Sequence, residues 1–272
     1  AYAVGSHPTD FMAAVSGTPP MDELDVLGAV RGSPVPIVKC VTNDIWVPAD
    51  AEYVLEGYLD NKGHVEPEGP FGEYVGYYGV IKRNPVFHLT AITHRKKPVF
   101  QGLLTGKPVT ENHILKQIPF EASFLKTLKR QFPTIESVSV RASAGVSFYV
   151  IISMNQRFAG EARQVILAAM SSNIRPKWIV IVDSDIDVHS SAEVEWAMAF
   201  RTQPQRDVII VDQIPAGPSD PSIDDPTKPR PFRTASSIGV DATKPYGKPF
   251  SEVADVPGWE DFEMPELDGR RG

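Results

Sequence analysis

Glu68-Gly69-Pro70-Phe71-Gly72-Glu73-Tyr74-Val75-Gly76-Tyr77-Tyr78-Gly79 is the stretch from which the rest of the chain can be read. Four glycines, a proline and three tyrosines in twelve residues exclude a regular helix, because glycine costs roughly 1 kcal/mol and proline roughly 3 kcal/mol in a helix interior. A tight loop is expected. Glycine permits positive φ and close approach of the backbone to a ligand, while Pro70 fixes its own φ. Such a loop can hold Glu68 and Glu73 beside aromatic faces, where a carboxylate loses hydration, its pKa rises and it becomes a proton donor near neutral pH. The plainer reading is a surface hairpin with two solvated acids.

Working outward toward the N-terminus, period-two alternation marks Pro36–Val41 and Glu52–Leu59 as strands, with Val47–Asp50 turning between them. On the other side, 85–93 reads as a strand and Pro98-Val99-Phe100 as a further one. Short strands separated by turn residues predict a mixed or barrel-like sheet. Cys40 and Trp46 read as core residues of it. His88 and His94 lie on one alternating strand and read as structural or surface histidines, since no third metal ligand stands in register.

Residues 9–32 read as two helical pieces broken at Ser16–Pro20, the second running Asp22–Val30 with Leu24, Leu27 and Ala29 on its apolar side. Glu23 in its first turn suits the positive helix end. Ala1-Tyr-Ala-Val-Gly-Ser-His-Pro has no basic-then-apolar signal pattern, and Tyr2–Val4 reads as the end of a strand, so the chain is expected to begin inside a domain.

Gly102–Pro108 marks a domain boundary. Beyond it Asn112–Gln131 is apolar at helical spacing, and Pro119 predicts two pieces. The pattern then alternates: strands at Ile135–Arg141, Phe148–Met154, Trp178–Val182 and Val208–Val211, a helix at Glu161–Ser172, and a helix Ala192–Phe200 opened by a Ser190/Glu193 capping box. This is an α/β domain with at least one right-handed crossover. Asp183, Asp185 and Asp187 have the opening of a calcium loop, but Val188 and Val194 stand where glycine and glutamate are required, which rejects it. Proline-rich Ile214–Pro231 forms no element, and the tail is acidic.

Composition narrows the function classes. The chain has 272 residues, 42% hydrophobic, with a net charge of −7, so nothing favours nucleic acid or an anionic membrane surface. Apolar runs such as Trp178–Val182 fall far short of the roughly 18 residues of a membrane helix. One cysteine excludes internal disulfides and fits a reducing compartment.

Glu-Gly-Pro-Phe-Gly-Glu followed by Gly-Tyr-Tyr resembles the active-site segment of the UbiD family of reversible decarboxylases, and Gly239-Val-Asp241-Ala-Thr243 is similar to that family's closing signature. The resemblance runs from Ala1 to about Lys244 and covers the family's downstream part. It implies an α/β (α+β) chain: residues 1–105 as part of a split β-barrel that binds prenylated FMN, 106–132 as a helical connector, 133–249 as an α/β oligomerisation domain and 250–272 as an acidic tail. It implies a cytoplasmic, homo-oligomeric carboxy-lyase acting on an aromatic or α,β-unsaturated carboxylic acid, with the flavin as electron sink. Glu73 is then the proton donor and Glu68 orients it through an upstream arginine. Glu23, in the context Asp22-Glu23 with Gly28 and Arg31-Gly32, becomes a ligand of Mn²⁺ or Mg²⁺, with K⁺ a further candidate ion. Lys177 matches a lysine near the flavin phosphate, though an exposed strand-start lysine is the alternative. The family's arginine and remaining metal ligands belong to an upstream portion, a missing segment or second polypeptide, so this chain alone is expected to be inactive. Two other readings stand beside this one: a non-catalytic assembly subunit, and an FMN-binding reductase-like module.

Overall fold

The computed structural model describes residues 1–15, 22–217, 219–223, 225, 227–228, 232–254, 256–258 and 262–263. The predicted break at Ser16–Pro20 and most of the acidic tail lie outside the described residues, as does part of Ile214–Pro231.

The first unit is built on β4 (Tyr53–Leu59), which lies between β1 (Tyr2–Val4) and β7 (Phe87–His94), both antiparallel to it. Tyr2, Leu55 and Ile92 stand in one row across the three strands. A bulge follows Glu56, where a Cβ on Gly57 would lie 2.2 Å from the His88 carbonyl oxygen, so only glycine fits. Buried Glu56 accepts from the amides of Val41 (2.8 Å) and Thr42 (2.6 Å) and from the Thr42 hydroxyl (2.7 Å). These bonds tie the hairpin of β2 (Ile37–Lys39) and β3 (Trp46–Pro48) to the sheet. A second ribbon pairs β5 (Glu66–Glu68) with β6 (Lys82–Asn84). Among the described residues the pieces do not close into a barrel.

Helices α1 (Pro8–Ala14) and α2 (Glu23–Arg31) pack together. Asp22 caps α2 by accepting from Leu24 N at 2.8 Å, and Gly32 ends it in the left-handed region. Arg31 bonds Asp10 at 2.6 Å and Asp50 at 2.9 Å, which joins both helices to the end of β3.

The second unit is one five-stranded sheet with order β11-β12-β10-β9-β8: β8 (Ile135–Val140), β9 (Tyr149–Met154), β10 (Trp178–Asp183), β11 (Val208–Pro215) and β12 (Thr234–Ala242). Its three central strands are parallel and its edges antiparallel. Continuous apolar runs suit strands covered on both faces. Helices α3 (Glu111–Lys129) and α4 (Glu161–Met170) cover one face over Ile152, Ile179 and Ile181; α5 (Ser191–Arg201) covers the other over Ile151, Val180 and Val182. A short α6 (Pro204–Asp207) leads into β11. Gly239 lets α4 sit directly on β12, since a Cβ there would meet Ile166 at 2.1 Å.

Four expectations need correction. Residues 111–129 form one helix through Pro119, not two, because burial of Phe124 and Leu128 against β8 outweighs the local cost of proline. Pro98–Phe100 is not a strand: the Val99 amide goes to the Glu52 carboxylate at 3.0 Å rather than to a neighbouring strand. Trp46 is 54% exposed, because on three-residue β3 it is Val47 that turns inward, beside Cys40. The Ser190/Glu193 box is half formed; Ser190 accepts from Glu193 N, but the Glu193 carboxylate accepts from Asp187 N at 2.7 Å.

His88 stacks on Tyr58 and meets Asp60 at 3.2 Å, while His94 bonds the Arg95 carbonyl. Cys40 is buried, and burial pushes its thiol up. Asp183 and Asp185 are held by buried Arg201.

Candidate functional site

The stretch 68–79 is the tip of the β5–β6 ribbon. Phe71 to Gly79 folds as a smaller hairpin inside it, with a Gly72–Tyr78 bridge, Glu73 N donating to the Tyr77 carbonyl at 2.8 Å and Gly79 N to that of Phe71 at 2.9 Å. Two glycines are required by space. A Cβ on Gly79 would lie 2.9 Å from Glu73 Cγ, so that glycine makes the room the acid occupies. A Cβ on Gly76, whose φ is +87°, would lie 2.7 Å from Lys107 Cα.

Glu73 is half-buried and its carboxylate accepts no hydrogen bond among the described residues; Glu68 is exposed and accepts from Asn84 Nδ2 across the ribbon. No described arginine reaches either acid. The rings expected to desolvate them face outward: Tyr77 and Tyr78 are 62% and 81% exposed. Tyr74 alone turns in. Burial pushes its phenol pKa up, with the nearby Ser147 and Ser219 side chains acting in the opposite sense. Lys116 Nζ lies 4.4 Å over its ring, in surroundings whose burial lowers the ammonium pKa.

The loop thus forms one wall of a cleft of about 480 Å³ between the two units, with Val75 to Tyr77 and Lys107 facing Gly145, Phe148 and Asp220. Lys177 lies beyond Phe148 in an adjoining cavity. Its ammonium donates to Asp220 at 2.9 Å and to the Ser222 hydroxyl. Burial works to raise the Asp220 carboxyl, but the hydrogen bonds from Ser222 and Lys177 outweigh it and hold it below the usual aspartate range. The loop's Val75–Tyr77 and Lys177 therefore lie in two adjoining cavities that share Phe148 and Asp220, and neither Glu68 nor Glu73 lines the cleft itself.

Glu23 stands apart. It is exposed at the first position of α2, and among the described residues no three His, Cys, Asp or Glu side chains converge on a metal-sized site. Mn²⁺ needs several oxygen or nitrogen donors, so the described residues do not by themselves make its site. A flavin phosphate fits only in part, since the Lys177 charge is already met by Asp220.

Sequence reasoning missed Asn84, Asp220, Ser147, Lys116 and His113. Only His113 carried a local signal. Thr110-x-x-His113 has capping-box spacing, with histidine where glutamate or glutamine is usual.

Two family models match in tandem: the 3-octaprenyl-4-hydroxybenzoate carboxy-lyase Rift-related domain over residues 1–108, and the 3-octaprenyl-4-hydroxybenzoate carboxy-lyase C-terminal domain over residues 113–242. An uncharacterized protein of Archaeoglobus fulgidus is 34% identical over 249 residues, which is 90% of this chain and 50% of that protein. The UbiD-class enzyme HmfF from Pelotomaculum thermopropionicum, solved with FMN, is similar at 36% identity with a TM-score of 0.85, over 96% of this chain and 57% of that one. The vanillic acid decarboxylase of Sedimentibacter hydroxybenzoicus in its open form is similar at 30% identity with a TM-score of 0.81, over 95% and 56%. The chain spans about half the length of these relatives. Among the described residues no helix is long and apolar enough to cross a membrane.

Proposed function

The chain belongs to the UbiD family of carboxy-lyases, and from that premise we propose that it carries the proton-delivering part of a prenylated-FMN decarboxylase. Its substrate class is an aromatic or α,β-unsaturated carboxylic acid, in a reversible, non-oxidative reaction. The observation that carries this reading is the half-buried Glu73 carboxylate, without a hydrogen bond among the described residues and set in the space left by Gly79, on the loop whose Val75–Tyr77 line the interdomain cleft. The solved FMN complex of a 36% identical relative supports a flavin as the cofactor.

The prenylated flavin, when bound, supplies the electron sink as CO₂ leaves. The work of this chain is acid–base. Protonated Glu73 hands its proton to the carbon that loses CO₂, so R–CO₂⁻ and one proton become R–H and CO₂, and solvent then reprotonates the carboxylate. Glu68, tied to Asn84, stands five residues away at the base of the same hairpin as a second carboxylate that would orient Glu73 through a shared cation. That cation, an arginine, comes from outside the described residues, as do the other ligands of a metal held in part by Glu23. Asp220 lines the far wall with Lys177 behind it in the adjoining cavity, where exchange of the Asp220 partner for a phosphate oxygen would free the ammonium for the cofactor.

Glu73→Gln in the complete, cofactor-loaded assembly is the direct test. Turnover is expected to fall about 10² to 10⁴-fold, with flavin absorbance and particle mass unchanged. Undiminished turnover would leave the chain an assembly subunit, and oxidation of a nicotinamide in place of decarboxylation would make it a reductase-like module. Either result overturns the proposal.

A further inference from the structure

The residue that follows the proposed acid is tied down from outside its own unit. The Tyr74 carbonyl oxygen lies 2.6 Å from His113 Nε2 on the first turn of α3. His113 is 1% exposed. Its Nδ1 lies 3.1 Å from the Thr110 amide and 2.9 Å from the Thr110 hydroxyl. A carbonyl only accepts and a backbone N–H only donates, so Nε2 carries the proton and Nδ1 takes the bonds from Thr110. The network admits one neutral tautomer.

Three residues along the same helix face, Lys116 Nζ lies 4.4 Å over the Tyr74 ring. The Glu73 peptide itself is closed in the hairpin, its N–H on the Tyr77 carbonyl and its carbonyl on Gly76 N at 2.9 Å. The acid therefore sits one peptide unit from a contact to the connector helix. Capping α3 accounts for Nδ1 alone. The second ring nitrogen faces away from the cap and is spent entirely on the loop.

We propose that His113 is a positioning residue: its Nε2–H holds the Tyr74 carbonyl and thereby fixes where the Glu73 carboxyl stands relative to the second unit. This rests on the reading of Glu73 as the proton donor. Imidazole suits the task because its two nitrogens point in divergent directions, one to the cap and one to the loop. A side-chain amide carries oxygen and nitrogen on one carbon and cannot reach both, so His113→Gln keeps the cap and releases the loop.

The test compares wild type, His113→Gln and Glu73→Gln. Amide hydrogen exchange at Glu73, Gly76 and Gly79 is expected to quicken about tenfold or more in His113→Gln, with β9 and β10 unchanged. In the complete decarboxylase, kcat is expected to fall about ten- to a hundredfold with KM within about twofold and flavin binding intact, the signature of a misplaced rather than missing acid. Unchanged loop exchange, or a loosened loop with unchanged kcat, overturns the proposal. Glu73→Gln separates the two claims: if its turnover is undiminished, the decarboxylation reading falls first. Should His113→Gln not fold, a long-range ¹H–¹⁵N spectrum of the wild-type chain decides, because a ring protonated at Nδ1 is incompatible with the latch.

Discussion

The two units of this chain solve the problem of burial in opposite ways. The second sandwiches its parallel strands between helices, and Ile151, Ile152, Ile179 and Ile181 are fully buried. The first leaves Tyr2 and Ile92 about half exposed on the row they share with Leu55, and its buried apolar cluster is Cys40, Val47, Ala51 and Val54. Stability is therefore concentrated in the second unit, while the proposed acid is carried by the first. The cleft lies where they meet, so a rigid body positions a hairpin that has little core of its own.

That contrast can be broken most directly in the core. Ile152→Ala is expected to cost about 4 kcal/mol through lost transfer energy and a cavity, whereas Val54→Ala is expected to cost about 1.5 kcal/mol. Urea unfolding followed in each unit measures both, and equal costs would sink the comparison. Next in size is Arg201→Met. It removes the buried guanidinium that bonds Asp183 at 2.9 Å and Asp185 at 2.8 Å, so about 3 kcal/mol is expected to be lost, read as a lower melting temperature of the second unit with the loop's hydrogen exchange unaltered.

Acid gives the smallest and most selective effect. Hydrogen bonds from Arg201, outweighing burial, pull Asp185 down to about 2. A lowered carboxyl adds stability that is fully present above the ordinary aspartate value of about 4 and is lost as pH falls from there toward 2. Asp183, pushed up by burial, works in the opposite sense and offsets part of this. In the first unit the Val41 amide, together with Thr42, outweighs burial and lowers Glu56 below the usual glutamate range, so its contribution is likewise lost on acidification. Melting scans from pH 6 to pH 2 are expected to fall in both units. Glu56→Gln should flatten the slope in the first alone, and a flattening in the second would show that the units do not titrate independently.

Much of the fold was legible because its signals are local. The apolar runs of β9 and β10, the Ser190 cap and the glycine-dense loop each follow from a few adjacent residues. Pro119 misled because a local penalty was weighed without the burial of Phe124 and Leu128, and Trp46 because hydrophobicity does not say which side of a three-residue strand faces the core. At the site, Glu68, Glu73 and Lys177 stood out as residue types in recognisable contexts. Their partners did not: Asp220 lies 43 residues from Lys177, and Tyr74 lies 39 residues before His113.

The sequence by itself determined a tight loop holding two acids and an α/β domain built on buried strands, because glycine, proline and apolar periodicity act over a few residues. Tertiary structure alone decided that Tyr74 turns inward while Tyr77 and Tyr78 face solvent, and that His113 grips the acid's neighbour. Those outcomes depend on which distant groups come within hydrogen-bonding reach once the two units meet.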